Sequence, residues 1–245
     1  MLLAFALLGW NVGCSSRSND SAEPPTTNLS VAAREFNLYE ADGSIHLGHE
    51  TLAVLQTDTG WVVETTFVAD ATGDLRGDAD VWRGTLTTTP DWTPVSGSWH
   101  GRLGQLRALR LRSRADQPEL LELVTEVENG APVAVPQVSR VDLLLPGAVP
   151  GTRAVLCRLA TDAPIQRALF PGVAATIEPR QVIGTTHSKQ SVFESVVLND
   201  SVPIAGAGPI KVICRGEDLI ISRQGTAWAV AVGHEALARR LGAKL

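Results

Sequence analysis

Lysine is nearly missing from this chain: Lys189, Lys211 and Lys244 stand beside many arginines, a bias that reads as genome composition rather than function. A basic surplus is missing as well. With 21 Lys and Arg against 26 Asp and Glu, the formal charge is −5, which excludes broad nucleic-acid binding because nothing displaces counterions from phosphates. After the first residues no apolar run approaches the roughly 20 residues that cross a bilayer as a helix, so the body is not expected to be an integral membrane protein. There is no P-loop, no dinucleotide fingerprint and no G-x-S-x-G, so no cofactor is implied and no catalytic residue stands out. Self-similarity at 20–50-residue spacing is missing too.

What is present is globular. The chain has 245 residues, 44% hydrophobic and 19% charged, enough for one large all-β domain or two small ones. Apolar residues recur with period two from about residue 34. "EFNLYEADGSIHLGHETLAVLQ" (35–56) places a turn at Ala41-Asp42-Gly43, and "TDTG" (57–60) leads into "WVVETTFVA". "VWRGTLTTT" follows an Asp/Gly loop, and further strands are expected at 152–160, 174–183, 191–198, 209–214, 218–222 and 226–232. Helical periodicity is convincing only in "HEALARRL" (234–241). Roughly ten strands spaced by turns predict a mainly β fold, an antiparallel meander forming an open half-barrel or β-sandwich, with a short C-terminal helix.

One hairpin is legible down to its register. In 106–114, Leu109 and Leu111 point one way and Arg110, Arg112 and Arg114 the other. In 119–128, Leu121, Leu123 and Val127 share a face opposite Glu122, Glu126 and Glu128. Matching apolar to apolar places Arg112 opposite Glu122 across a loop from Ala115 to Glu119, and a one-residue slip would lose the match along the whole pair. The row Arg110, Arg112 and Arg114 is a candidate receptor for an anionic head group; its commoner meaning is a solvated sheet face.

The N-terminus poses a separate question. "LLAFALLGW" (2–10) carries no charge, is too short to span a membrane, and suits the apolar core of a signal peptide. It runs into "NVGC", and there the chain resembles a bacterial lipoprotein precursor. The resemblance implies cleavage after Gly13, acylation of Cys14, and, from Ser15, an outer-membrane address. The chain departs from that family at Asn11, where Leu is usual, and in having no Lys or Arg before the run. "SSRSNDSAEPPTTN" (15–28) has the composition of a flexible tether. The expected organisation is therefore a signal peptide at 1–13, a tether at 14–32 and one β-rich domain at 33–245. The alternatives are an ordinary secretory signal and a core element.

With Cys14 spent on acylation, Cys157 in "RAVLCRL" and Cys214 in "KVICRG" remain, and an even remainder outside the cytosol reads as one disulfide. Two unpaired core thiols are the other reading.

Other constellations are weaker. In "HLGH" the period-two context puts His46 and His49 on opposite strand faces, so a shared metal is not expected. "DATGDLRGDAD" gathers Asp70, Asp74, Asp78 and Asp80, oxygen donors that calcium takes, but not in EF-hand order; a solvated hairpin loop is the plainer reading. Ser98 lies near His100 without a hydrolase motif. Trp61, Trp82, Trp92 and Trp99 cluster in one quarter of the chain, to line a groove or, by default, to fill a core.

The body, about 34–232, resembles in pattern envelope proteins with an open antiparallel half-barrel, the lipoprotein-carrier and glycolipid-binding families. The stretches concerned are "GHETLAVLQTDTGWVVET" (48–65) and "PDWTPVSG" (90–97). The resemblance implies a lipid or other amphiphile against a concave apolar face, with no ligand residue carried over. The alternatives are a tethered interaction or structural module docking an envelope protein partner and, after that, a tethered hydrolase.

Overall fold

The computed structural model describes residues 29–30, 33–70, 81–103, 106–113, 117, 120–139, 143–144, 152–169, 173–185, 192–200 and 209–245. Cys14, Arg114, Asp74, Asp78 and Asp80 lie outside the described residues.

Among the described residues seventeen strands form one curved sheet, more than the ten or so read from periodicity. Short β1 (Leu29–Ser30) and β2 (Arg34–Glu40) both lie along the long β3 (Ile45–Thr57). The ladder thus begins at Leu29, within the stretch read as tether. A meander follows: β4 (Gly60–Ala69), β5 (Val81–Thr88), β6 (Pro94–Leu103), β7 (Leu106–Ser113), β8 (Leu120–Val127) and β9 (Val133–Ser139), each antiparallel to the one before.

The second half comprises β10 (Leu143–Leu144), α1 (Thr152–Leu159), β11 (Ile165–Leu169), β12 (Val173–Ile177), β13 (Gln181–Thr185) and β14 (Val192–Asp200). It ends with β15 (Ile210–Arg215), β16 (Asp218–Gln224), β17 (Ala227–Ala231) and α2 (Glu235–Arg240). Both β12 and β13 pair with β14, at its two ends, because Glu178-Pro179-Arg180 breaks the strand expected over 174–183. β17 returns to pair with β2, which sets the two halves edge to edge. Among the described residues β9 pairs only with β8 and β10 only with β11, so the sheet stays open, as expected.

The arginine-glutamate register is as the patterning predicts. Arg112 lies opposite Glu122, with Nε donating to Oε1 at 2.7 Å, and Leu111 and Leu121 are fully buried on the other face.

The clearest departure is at 152–160, where the expected strand is the helix α1. Ala154, Val155, Leu156, Cys157 and Leu159 are all buried, so the segment has no polar face from which to read a period. α1 packs on β14, β15 and β16 against the inner face of the sheet, and its C-terminal carbonyls are capped by Arg180. That guanidinium donates to the Cys157 carbonyl at 2.8 Å and the Ala160 carbonyl at 2.9 Å and pairs with Glu194 at 2.9 Å. A cation on these otherwise orphaned carbonyls also complements the helix dipole. Cys157 and Cys214 form a disulfide that ties α1 to β15, with Cα atoms 5.7 Å apart.

Successive residues of β17 show that both faces of this part of the sheet are covered. Ala229 and Ala231 belong to the inner core beside α1, while Trp228 and Val230 belong to a second core roofed by α2. The C-terminal helix is the one expected from "HEALARRL"; its Ala238 is fully buried.

Two of the clustered tryptophans fill the inner core. Trp82 and Trp99 are essentially inaccessible, and Trp99 lies flat over Gly84, its cross-strand neighbour. A Cβ at Gly84 would stand 1.7 Å from Trp99 Cδ1. Gly84→Ala is therefore expected to destabilise the fold by about 1–3 kcal/mol, the usual cost of overpacking. A chemical-denaturation midpoint equal to that of the parent would refute this.

Candidate functional site

α1 fills much of the concave face but leaves one end open. There, between α1, β2, β3, β4, β15, β16 and β17, lies a hollow of about 440 Å³. Its walls are Leu38, Leu47, Phe67, Ile210, Ala227 and Trp228, mostly apolar as ligand pockets are. Alternation explains two of these: Leu38 continues the inward row of Phe36 on β2, and Ala227 that of Ala229 and Ala231 on β17, whereas Trp228, of the opposite parity, belongs to the second core and borders the hollow from there.

The polar groups here converge. Glu50, 3% exposed, contacts Arg153 of α1 and accepts a hydrogen bond from Thr65 Oγ1 at 2.9 Å. Arg153 Nη1 donates to Ser222 Oγ at 3.3 Å. Both carboxylate oxygens are thus engaged, the condition under which a buried pair is tolerated. Glu50, Arg153 and Ser222 all border the hollow, as does Trp228, whose buried indole N–H has no hydrogen-bond partner. Neither Glu50 nor Arg153 stands out in the sequence. They are 103 positions apart, and the signal available was only an acid at an inward position of a period-two strand.

Away from the hollow, α1 carries a second buried cation. Arg158 lies beneath the stacked rings of Trp61 and Trp92, its guanidinium 5.3 and 4.9 Å from their centroids. Its side chain is 5% exposed and its Oε partner on Glu217 is 3.7 Å away. Burial pushes this guanidinium below its ordinary pKa, with Glu217 and Asp218 pulling the other way. Thus Trp82 and Trp99 are packed wholly inside the core, while Trp92, also a core residue, stacks with Trp61 over an arginine.

The remaining sequence candidates are scattered. Arg110 and Arg112 face out from β7, already paired with Glu126 at 3.2 Å and Glu122 at 2.7 Å. Ser98 and His100 are exposed on β6. Asp70, the described member of the acidic run, contacts His46.

The two histidines of "HLGH" are a correction. They share a face, with ring centroids 4.8 Å apart, because β3 does not keep a strict period of two. Leu38 pairs with Gly48 but Tyr39 pairs with His46, so Leu47 is an extra residue and the strand bulges. Gly48 permits this at φ +146°; a Cβ there would meet the Val68 carbonyl oxygen at 2.1 Å.

No family model, curated protein or solved structure matches this chain.

Proposed function

We propose that this protein is a bacterial envelope lipoprotein, anchored through Cys14 and facing the periplasm or surface, whose β half-barrel takes a lipid or another amphiphile in the hollow beside α1. The observation that carries the reading is the hollow itself: about 440 Å³, apolar-walled, with Glu50 and Arg153 at one side. That volume lies within the range of small-ligand sites, and apolar walls with a few convergent polar groups suit a molecule with an oily body and a polar head. The apolar run ending at "NVGC" supports the anchor.

Native mass spectrometry of the cell-grown protein, before and after organic extraction, tests both halves. The expected result is a polypeptide beginning at an acylated Cys14, with a noncovalent ligand that extraction removes. Ala227→Trp, which fills the hollow, should abolish the copurified ligand and leave the acyl groups. An intact Met1 with a free Cys14 thiol would refute the anchor. A folded parent protein with no ligand would refute the lipid site and leave a tethered structural or interaction module.

A further inference from the structure

We propose that His46, His49 and Asp70 bind one divalent transition-metal ion of the zinc class, at a site outside the hollow and independent of the reading given to it. Each of the three offers one donor atom, and all three donors lie within 4.8 Å of one another. Three separate features bring them there. The bulge at Leu47 and Gly48 turns both imidazoles to one side of β3. The Asp70 amide then donates to the Leu47 carbonyl at 2.8 Å, which fixes the end of β4 against that bulge. Finally the Tyr39 ring meets the His46 ring edge-on at 5.0 Å and backs it from β2.

The chemistry of the donors selects the ion. Two imidazole nitrogens and one carboxylate oxygen form a borderline set suited to zinc and its neighbours, whereas calcium takes six to eight oxygens. Two ligands held about 2.0–2.1 Å from a tetrahedral zinc are about 3.3 Å apart. His49 is exposed, so its side chain has room to turn toward the other two donors. Asp70 and His46 are already in contact, with side chains 38% and 30% exposed, so an ion has access from solvent. Three protein ligands leave a fourth position for water, the arrangement of an open rather than a sealed site. Bulges of this type gather at places where a strand must re-aim a side chain.

The test uses the full chain without an affinity tag, stripped of metal and titrated calorimetrically with zinc chloride. One ion per chain is expected, undisturbed by millimolar calcium. His49→Ala and Asp70→Asn should each weaken binding by tenfold or more while His100→Ala, on exposed β6, leaves it unchanged. Circular dichroism of the exposed-site variant His49→Ala should match the parent, separating ligand loss from misfolding. No saturable uptake, or uptake unaffected by His49→Ala or lost with His100→Ala, would overturn the proposal and leave His46 and Asp70 as a plain hydrogen-bonded pair.

Discussion

Removing the Cys157–Cys214 bond is expected to lower stability by about 4 kcal/mol. The two cysteines are 57 positions apart, and in the chain-entropy description a crosslink of that span restricts the unfolded ensemble by about this amount. The bond also joins the buried helix α1 to β15, so that α1 cannot leave the inner face while it is intact. For a domain of this size the loss corresponds to a melting temperature lower by about 8–16 °C. Cys157→Ala/Cys214→Ala is the appropriate variant, since both sulfurs are fully buried and an alanine pair leaves no polar group behind. Thermal unfolding of that variant beside the oxidised parent gives the answer, and a difference under 1 kcal/mol would sink the expectation. Reductant alone should act slowly on the folded protein and quickly in denaturant, because neither sulfur is accessible.

The second large effect is expected at the buried ion pair. Arg153→Met leaves the Glu50 carboxylate 3% exposed with only Thr65 to meet it, and such an uncompensated charge costs about 3–5 kcal/mol. Replacing both partners, as Arg153→Met/Glu50→Leu, removes the buried charge together with its need for a partner. The double variant should therefore recover most of the loss and lie within about 1–2 kcal/mol of the parent. Equilibrium denaturation of the parent, both single variants and the double variant measures the coupling. Additive single effects would show that the pair is not coupled. The cycle also separates fold from binding, because the pair borders the hollow. Should the parent copurify the proposed amphiphile, a stable double variant without it would identify Glu50 and Arg153 as the groups that hold its polar head.

Legibility in the sequence followed the reach of the interactions. The β7–β8 register was readable because its information is local: alternating leucine with arginine on one strand, and leucine with glutamate on the next, admits one pairing. The C-terminal helix was readable because one side of it stays in solvent, which preserves a helical period. α1 was not, since the same burial that makes it central erases its polar face, and a short apolar run looks alike as strand or helix. The histidine pair was misread for a comparable reason. A period-two rule holds only while the ladder is regular, and the extra residue at Leu47 is visible in the pairing with β2 but not in "HLGH" itself. The glycine there was the available clue, since an isolated glycine inside a strand pattern marks a bulge or a close approach.

By itself the sequence determined the class of fold, the pairing of one hairpin and the final helix, each from residues near one another, and it left Cys157 and Cys214 open between a bridge and two core thiols until the structure joined them. Only the tertiary structure decided which buried segment would be helical, that Glu50 of one half would meet Arg153 of the other, and where the concave face would be left unfilled. The difference is physical: local alternation is set by backbone geometry, which repeats every two residues, whereas those contacts depend on how far a curved sheet closes around a helix and on what space remains.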